Sequence, residues 1–251
     1  VDLSLVTPLL DRQIDCNSAI AEEGLRGDWG ANIGSTLLNN YPEDIRLEAR
    51  AYAAAGSDAR MSGCEMPVVI LSGSGNQGMT ASLPVIRYAK HLGVDKDKLY
   101  RALLVSDLVT VHQKSGIGRL SAYCGAVSAG VGSGAAIAYL VDGSYEAVAH
   151  TIINALAIIS GTICDGAKPS CAAKIASSVE AGILGYQMYR EGLLTDDSFT
   201  VDKSGQTFKG GDGILAGDVD ATIANIGVLA REGMQQTDKT ILEIMTQRGD
   251  C

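Results

Sequence analysis

Aromatic rings are scarce in this sequence. Two Phe and one Trp stand among 251 residues, and aromatics make up 5%. A core with so few rings must close on smaller side chains. The 30 glycines point the same way, well above the ~7% usual in proteins. Helices packed closely on Gly and Ala are the expected result. Positive charge is also short: 20 Lys and Arg against 29 Asp and Glu, a net charge of −9. That excludes a nucleic-acid partner, which needs a basic face, and disfavours docking on anionic lipid. Six cysteines, none in a C-x-x-C pair, are too few for a disulfide scaffold. A reducing, cytoplasmic setting fits them better.

Long apolar runs are missing as well. The longest, Val148 to Cys164, is broken by His150, Asn154 and Ser160 and falls short of the ~20 residues a bilayer requires. It reads as a buried helix rather than a membrane span. Only three histidines occur, His91, His112 and His150, each isolated in a helical stretch where packing or capping accounts for it. Neither a 20–50-residue repeat nor a low-complexity linker is present.

Helical periodicity fills most of what remains. Leu3, Val6, Leu10 and Ile14 open one helix, with Gly24 and Gly27 expected to close it. A short segment at Ile33 to Leu38 and a helix from Glu43 and Asp44 to Ala55 follow. Further helices are expected from Met79 to Leu92 and from Asp95 through Leu99, Leu103, Leu108 and Val111. Ile117 to Leu140, Tyr145 to Ile163 and Ala172 to Tyr189 read as buried helices, and Asp218 to Arg231 and Thr237 to Gln247 as closing ones. The fold expected is mainly α: one multi-helix domain over 1–251, with at most a short strand near 68–71 and a small hairpin near 199–209. Stripes of small residues, such as Ala126 to Ala138, suit packing inside the chain or against a second copy.

Two features carry chemistry. Gly73, Gly75 and Gly78 fit G-x-G-x-x-G after a short β-branched run, the pattern of a dinucleotide-binding turn. No alternation of strands and helices follows it. A smaller anion such as a carboxylate suits the loop better, held by backbone amides with Ser74, Asn76 and Gln77; a plain helix-entry turn is the other reading. The second feature is a pair of cysteines, Cys124 and Cys164, each at a break in an apolar helical pattern among small residues. Such thiolates can reach a shared soft metal centre. Spacing alone favours buried structural thiols, since free Cys is among the most buried residue types.

Five segments together resemble one family: Ser57-Asp-Ala-Arg-Met-Ser-Gly63, Ser72-Gly-Ser-Gly-Asn-Gln-Gly78 with Pro84-Val85, Arg119-Leu-Ser-Ala-Tyr-Cys124, Cys164-Asp-Gly-Ala-Lys-Pro-Ser-Cys171 and Met234-Gln-Gln-Thr-Asp238. In this order the chain resembles the L-cysteine desulfidase family, which is related to the α-domain of iron–sulfur L-serine dehydratases. The resemblance implies a [4Fe–4S] cluster held by three cysteines, with one iron open to substrate. Two of those ligands fall on Cys124 and Cys164. The third is implied in a Gly-Cys-Thr-Glu-Pro motif of an N-terminal half that this chain does not contain. That half is thus the implied partner, and the chain, which opens at Val1 in a helical pattern, reads as the C-terminal half of a longer enzyme. Cys16 and Cys171 also occupy family-like segments without an assigned role.

The chemistry implied is β-elimination from a small amino acid, L-cysteine giving pyruvate, ammonia and sulfide, with L-serine dehydration as the alternative. Substrate-binding candidates are Ser74, Gly75, Asn76 and Gln77, with Arg60 and Arg119 as cations for a carboxylate. Asp165, beside one ligand, is expected to orient Cys164 or a helix end rather than to move protons. Lys168 invites a Schiff-base reading that nothing else supports. No general base stands out, and alone the chain is expected to be inactive. A helical domain that associates without doing chemistry is the non-enzymatic alternative.

Overall fold

The computed structural model describes residues 2–40, 43–118, 121–191, 213–216 and 218–247. Ten α-helices carry most of them: α1 (Thr7–Arg26), α2 (Ile33–Asn40), α3 (Ile45–Met61), α4 (Gly75–Leu92), α5 (Lys96–Ile117), α6 (Gly125–Val141), α7 (Tyr145–Ile159), α8 (Cys171–Arg190), α9 (Val219–Val228) and α10 (Gln235–Gln247). One π-helical turn, Leu229–Gly233, joins the last two. Local chemistry sets many of the starts. Asp44, Ser74, Asp95, Ser144 and Asp218 each accept a backbone N–H from the first turn of the helix that follows. Such caps are worth ~1 kcal/mol each.

The mainly helical expectation holds, and no strand forms among the described residues. The run at 68–71, expected as a short strand, has no strand partner. A buried side chain takes that role: Asn17 of α1 accepts the Val69 N–H at 2.8 Å and donates to the Ser82 hydroxyl at 2.9 Å. The hairpin expected near 199–209 lies outside the described residues. Gly24, expected to close α1, is inside it and lies against the Ala55 carbonyl of α3; Gly27 is the cap.

The bundle forms around α6. All but three of its residues are buried, and α4, α5, α7 and α8 pack on it from all sides. A helix apolar all round belongs in such a place. Small residues allow the close approach: a Cβ added to Gly134 would lie 2.5 Å from Gly182 Cα of α8. The stripe at Ala126 to Ala138 is therefore spent inside the chain. On its other flank α3 packs against α1, α2, α4 and α8. Among the described residues, no helix is long and apolar enough to cross a membrane.

Helix α5 departs from its expected face. Leu108 and Val111 are exposed, at 64% and 44%. Ser106, Thr110, Gln113 and Lys114 are buried instead. Their polar groups meet the glycine-rich α6: Gln113 Nε2 donates to the Ser128 carbonyl at 3.2 Å, and the Thr110 hydroxyl to the same carbonyl at 3.4 Å.

Candidate functional site

Cys124 and Cys164 meet although forty positions separate them. Tyr123 and Ile163 form an antiparallel bridge. Cys124 N–H donates to the Thr162 carbonyl at 3.1 Å, and Cys164 N–H to the Ala122 carbonyl at 2.6 Å. This two-bond clasp sets the thiols side by side on one cleft. Asp238 fastens the clasp by accepting the Ala122 N–H. The Cys124 thiol donates to Cys164, which with burial pushes the Cys124 thiol up. Cys164 is held below the usual thiol range by that same bond, then by the Gly166 N–H and the nearby Lys174 ammonium.

Cys171, which the sequence reading left without a role, lines the same cleft. It is the first residue of α8. Its sulfur accepts the Lys168 N–H at 3.4 Å, and its thiol faces the Gly166 carbonyl at 3.7 Å. Three helices thus begin at the cleft: α4 at Gly75, α6 at Gly125 and α8 at Cys171. Their N-terminal N–H groups and dipoles favour negative charge there. The cleft holds about 350 Å³, at the small end of ligand sites, which suits a small molecule better than a dinucleotide. Its cations are Arg60, Lys114 and Lys174, and no described Asp or Glu lines it.

The glycine loop lines the cleft too, but its glycines serve another purpose than binding pyrophosphate. Leu71 and Ser74 exchange backbone hydrogen bonds at 3.1 and 3.0 Å around Ser72 and Gly73. Both central residues have positive φ, 48° and 83°, a mirror-image tight turn. At Gly78 a Cβ would stand 2.0 Å from the Val69 carbonyl oxygen, so this glycine lets α4 press on the extended chain. The loop leads into a helix bundle rather than a parallel sheet, so the dinucleotide pattern lacks its context.

The candidate residues are mostly brought together. Ser74, Asn76, Gln77 and Arg60 line the cleft; Gly75 is not among its lining residues and packs against the Arg60 side chain. Arg60 Nη1 donates to Asn76 Oδ1 at 3.3 Å. Arg119 lies outside the described residues. Asp165 accepts Lys174 Nζ at 2.7 Å and Lys168 Nζ at 3.0 Å, and these two lysines hold its carboxyl down at about 2. It ties the Cys164 loop to α8, and Lys168 is spent in that pair. His150 stacks on Tyr189, His112 pairs with Asp220 at 3.1 Å and His91 is exposed; none lines the cleft. Sequence reasoning missed Cys171, Lys174 and Lys114.

The thiols fit an iron–sulfur cluster on the chemistry of the donor set. Three cysteine thiols line one cleft whose helix ends favour negative charge. Among the described residues no three His, Cys, Asp or Glu side chains gather closely enough for a single metal ion. A cluster takes its thiolates on separate corners, so a wider trio suits it.

The family model described as serine dehydratase alpha chain matches residues 1–243. A UPF0597 protein of Desulfitobacterium hafniense (strain Y51) is 61% identical over 96% of this chain and 53% of its own length. A UPF0597 protein of Lachnoclostridium phytofermentans is 53% identical over 98% of this chain and 56% of its own. The UPF0597 protein YhaM of Salmonella newport is 41% identical over 92% and 51%. The chain therefore spans about half the length of the curated relatives it matches. No solved structure matches it.

Proposed function

Since the chain belongs to the serine dehydratase alpha-chain family, we propose that it is the cluster-holding half of an iron–sulfur lyase for a small amino acid. The single observation that carries this reading is the cleft where Cys124, Cys164 and Cys171 meet three helix N-termini and no described carboxylate. The place of Cys171 on that cleft supports it as the third sulfur, in preference to a cysteine from a segment outside this chain. When bound, the cluster would supply an open iron as a Lewis acid for the departing thiolate or hydroxyl.

The chain's own groups have defined tasks in that reaction. The α4 end receives the amino acid through Ser74, Asn76 and Gln77. Asp165 holds Lys168 and Lys174, and so keeps the Cys164 loop closed on α8. Loss of the α-proton and of the β-substituent leaves an enamine that hydrolyses to pyruvate and ammonia. L-cysteine, which also releases sulfide, is the first substrate and L-serine the second. The full-length polypeptide supplies the remaining groups, so this half alone is inactive.

Anaerobic reconstitution of the full-length protein with iron and sulfide tests the reading. Expected are bound iron and acid-labile sulfide, with pyruvate formed from L-cysteine or L-serine. Cys171→Ser should lower the bound iron as Cys124→Ser and Cys164→Ser do. Iron binding that ignores all three substitutions, or a loaded protein inert toward both amino acids, would end the proposal.

A further inference from the structure

We infer that Lys114 is the cation that receives the substrate's α-carboxylate in this cleft. The inference rests on the lyase reading and adds the residue that fixes the amino acid's orientation. Three described cations line the cleft: Lys174 is spent on a carboxylate, Arg60 is tied to a neutral amide, and Lys114 is the most buried of the three. Lys174 donates to Asp165 at 2.7 Å and to the Ile163 carbonyl at 3.0 Å. Lys114 has no carboxylate or carbonyl partner among the described residues, although it is only 7% exposed.

The packing of α5 puts it there. Gln113, one residue earlier, bonds the Ser128 carbonyl and clamps this end of α5 to α6, whose start carries Cys124. Lys114 lies in the last turn of α5, where the helix dipole favours a cation. Burial opposes its charge, and the charge of neighbouring Cys164 and Cys124 supports it. The stem of Lys114 is buried while the residue lines the cleft, so a carboxylate entering there can take a charge-assisted hydrogen bond from its ammonium.

A second unpartnered group supplies the other half of an amino-acid site. Gln77 is 8% exposed and lines the cleft, and its Oε1 has no hydrogen-bond partner among the described residues. It lies against Gly125, where an added Cβ would stand 2.4 Å from Gln77 Nε2. The side chain is therefore held in place. A polar amide side chain on α4 and a cation on α5 thus line the cleft that would take the ammonium and the carboxylate of a zwitterion. The β-substituent is then left to face the thiols.

The test uses the loaded full-length enzyme with Lys114→Met and Lys114→Arg. Lys114→Met should raise KM at least ~10-fold with kcat within a few-fold and iron content unchanged, and Lys114→Arg should recover part of the loss. L-alanine, which has no leaving group, gives a readout apart from turnover. Calorimetry should show its affinity falling at least ~10-fold in Lys114→Met. In the wild type, L-alaninamide, which lacks the carboxylate charge, should bind at least ~10-fold more weakly than L-alanine. Equal binding of the two overturns the inference whether or not any variant folds. So does a Lys114→Met enzyme with unchanged KM, or with a collapsed kcat at unchanged KM. A wild type that binds L-alanine through Lys114 but turns over neither amino acid keeps the inference and removes the lyase.

Discussion

The crossing of α6 and α8 sets the spacing between two of the three thiols, and one added methyl tests it. In Gly182→Ala the new Cβ would lie 2.3 Å from the Gly130 carbonyl oxygen and 3.0 Å from Gly134 Cα. Ordinary van der Waals contact begins near 3.4 Å, so the helices must part by about 1 Å to reach it. The obstacle is backbone, which has no rotamer to change, so the penalty falls near the upper end of overpacking, ~3 kcal/mol. Alanine's better helix propensity returns ~1 kcal/mol, leaving a net loss of ~2 kcal/mol. For a chain of this size that lowers the melting temperature by ~4–8 °C. Cys124 caps α6 and Cys171 opens α8, so bound iron should fall as well. Gly161→Ala is the control, since nothing lies within 4 Å of the added carbon. Thermal unfolding of both variants beside the wild type decides the matter. A Gly182→Ala protein melting within about 1 °C of the control would refute the close crossing and the spacing argument built on it.

Three other outcomes follow from particular contacts. Asn17→Ala leaves the Val69 N–H without its partner and should cost ~1–3 kcal/mol in urea unfolding, with weaker L-alanine binding because the chain before Ser72 loosens. Ser74→Ala removes the α4 cap and should cost ~1 kcal/mol; an unchanged urea midpoint would deny the cap any weight. Burial pushes the Asp107 carboxyl up to about 6, against a small opposing effect from Gln13. Its folded pKa exceeds the unfolded one, so its stabilising contribution is full below about pH 4 and is lost as pH rises through about 6. Asp107→Asn should therefore raise the melting temperature near pH 7.5 and leave it unchanged near pH 4. An equal gain at both values would refute the assignment.

Helix starts were legible where a capping side chain marks them, whereas α6, which has none, was expected from Ile117 and begins at Gly125. Asp44, Asp95 and Asp218 stand where an acceptor must stand. The α5 face was misread because its buried stripe is polar. Ser106, Thr110, Gln113 and Ile117 follow the helical period as well as any apolar set, yet the apolar Leu108 and Val111 drew the assignment to the opposite side. Lys114 was hidden by the same error. The β-branched run at 68–71 forms no strand, because the partner of the Val69 N–H is a side chain from another helix, which no local pattern shows. Cys124 and Cys164 were singled out by their place at breaks in the helical pattern, and the resemblance gave them a role. Their clasp depends on a bridge between segments forty residues apart.

A chain with nine excess negative charges has built one cleft with no described carboxylate on its walls. The nearest acid, Asp165, is neutralised by two lysines rather than aimed inward. Helix ends, Arg60, Lys114 and Lys174 supply only positive potential there. Thiolates need such a setting to exist at neutral pH, and so does a bound carboxylate. Buried structural thiols need none of it, because a neutral Cys packs as a small apolar side chain. The cleft holds Cys164 below the usual thiol range while Cys124 is pushed up, so it favours charge on one sulfur, which the proposed cluster site would use and a merely packed thiol would not need.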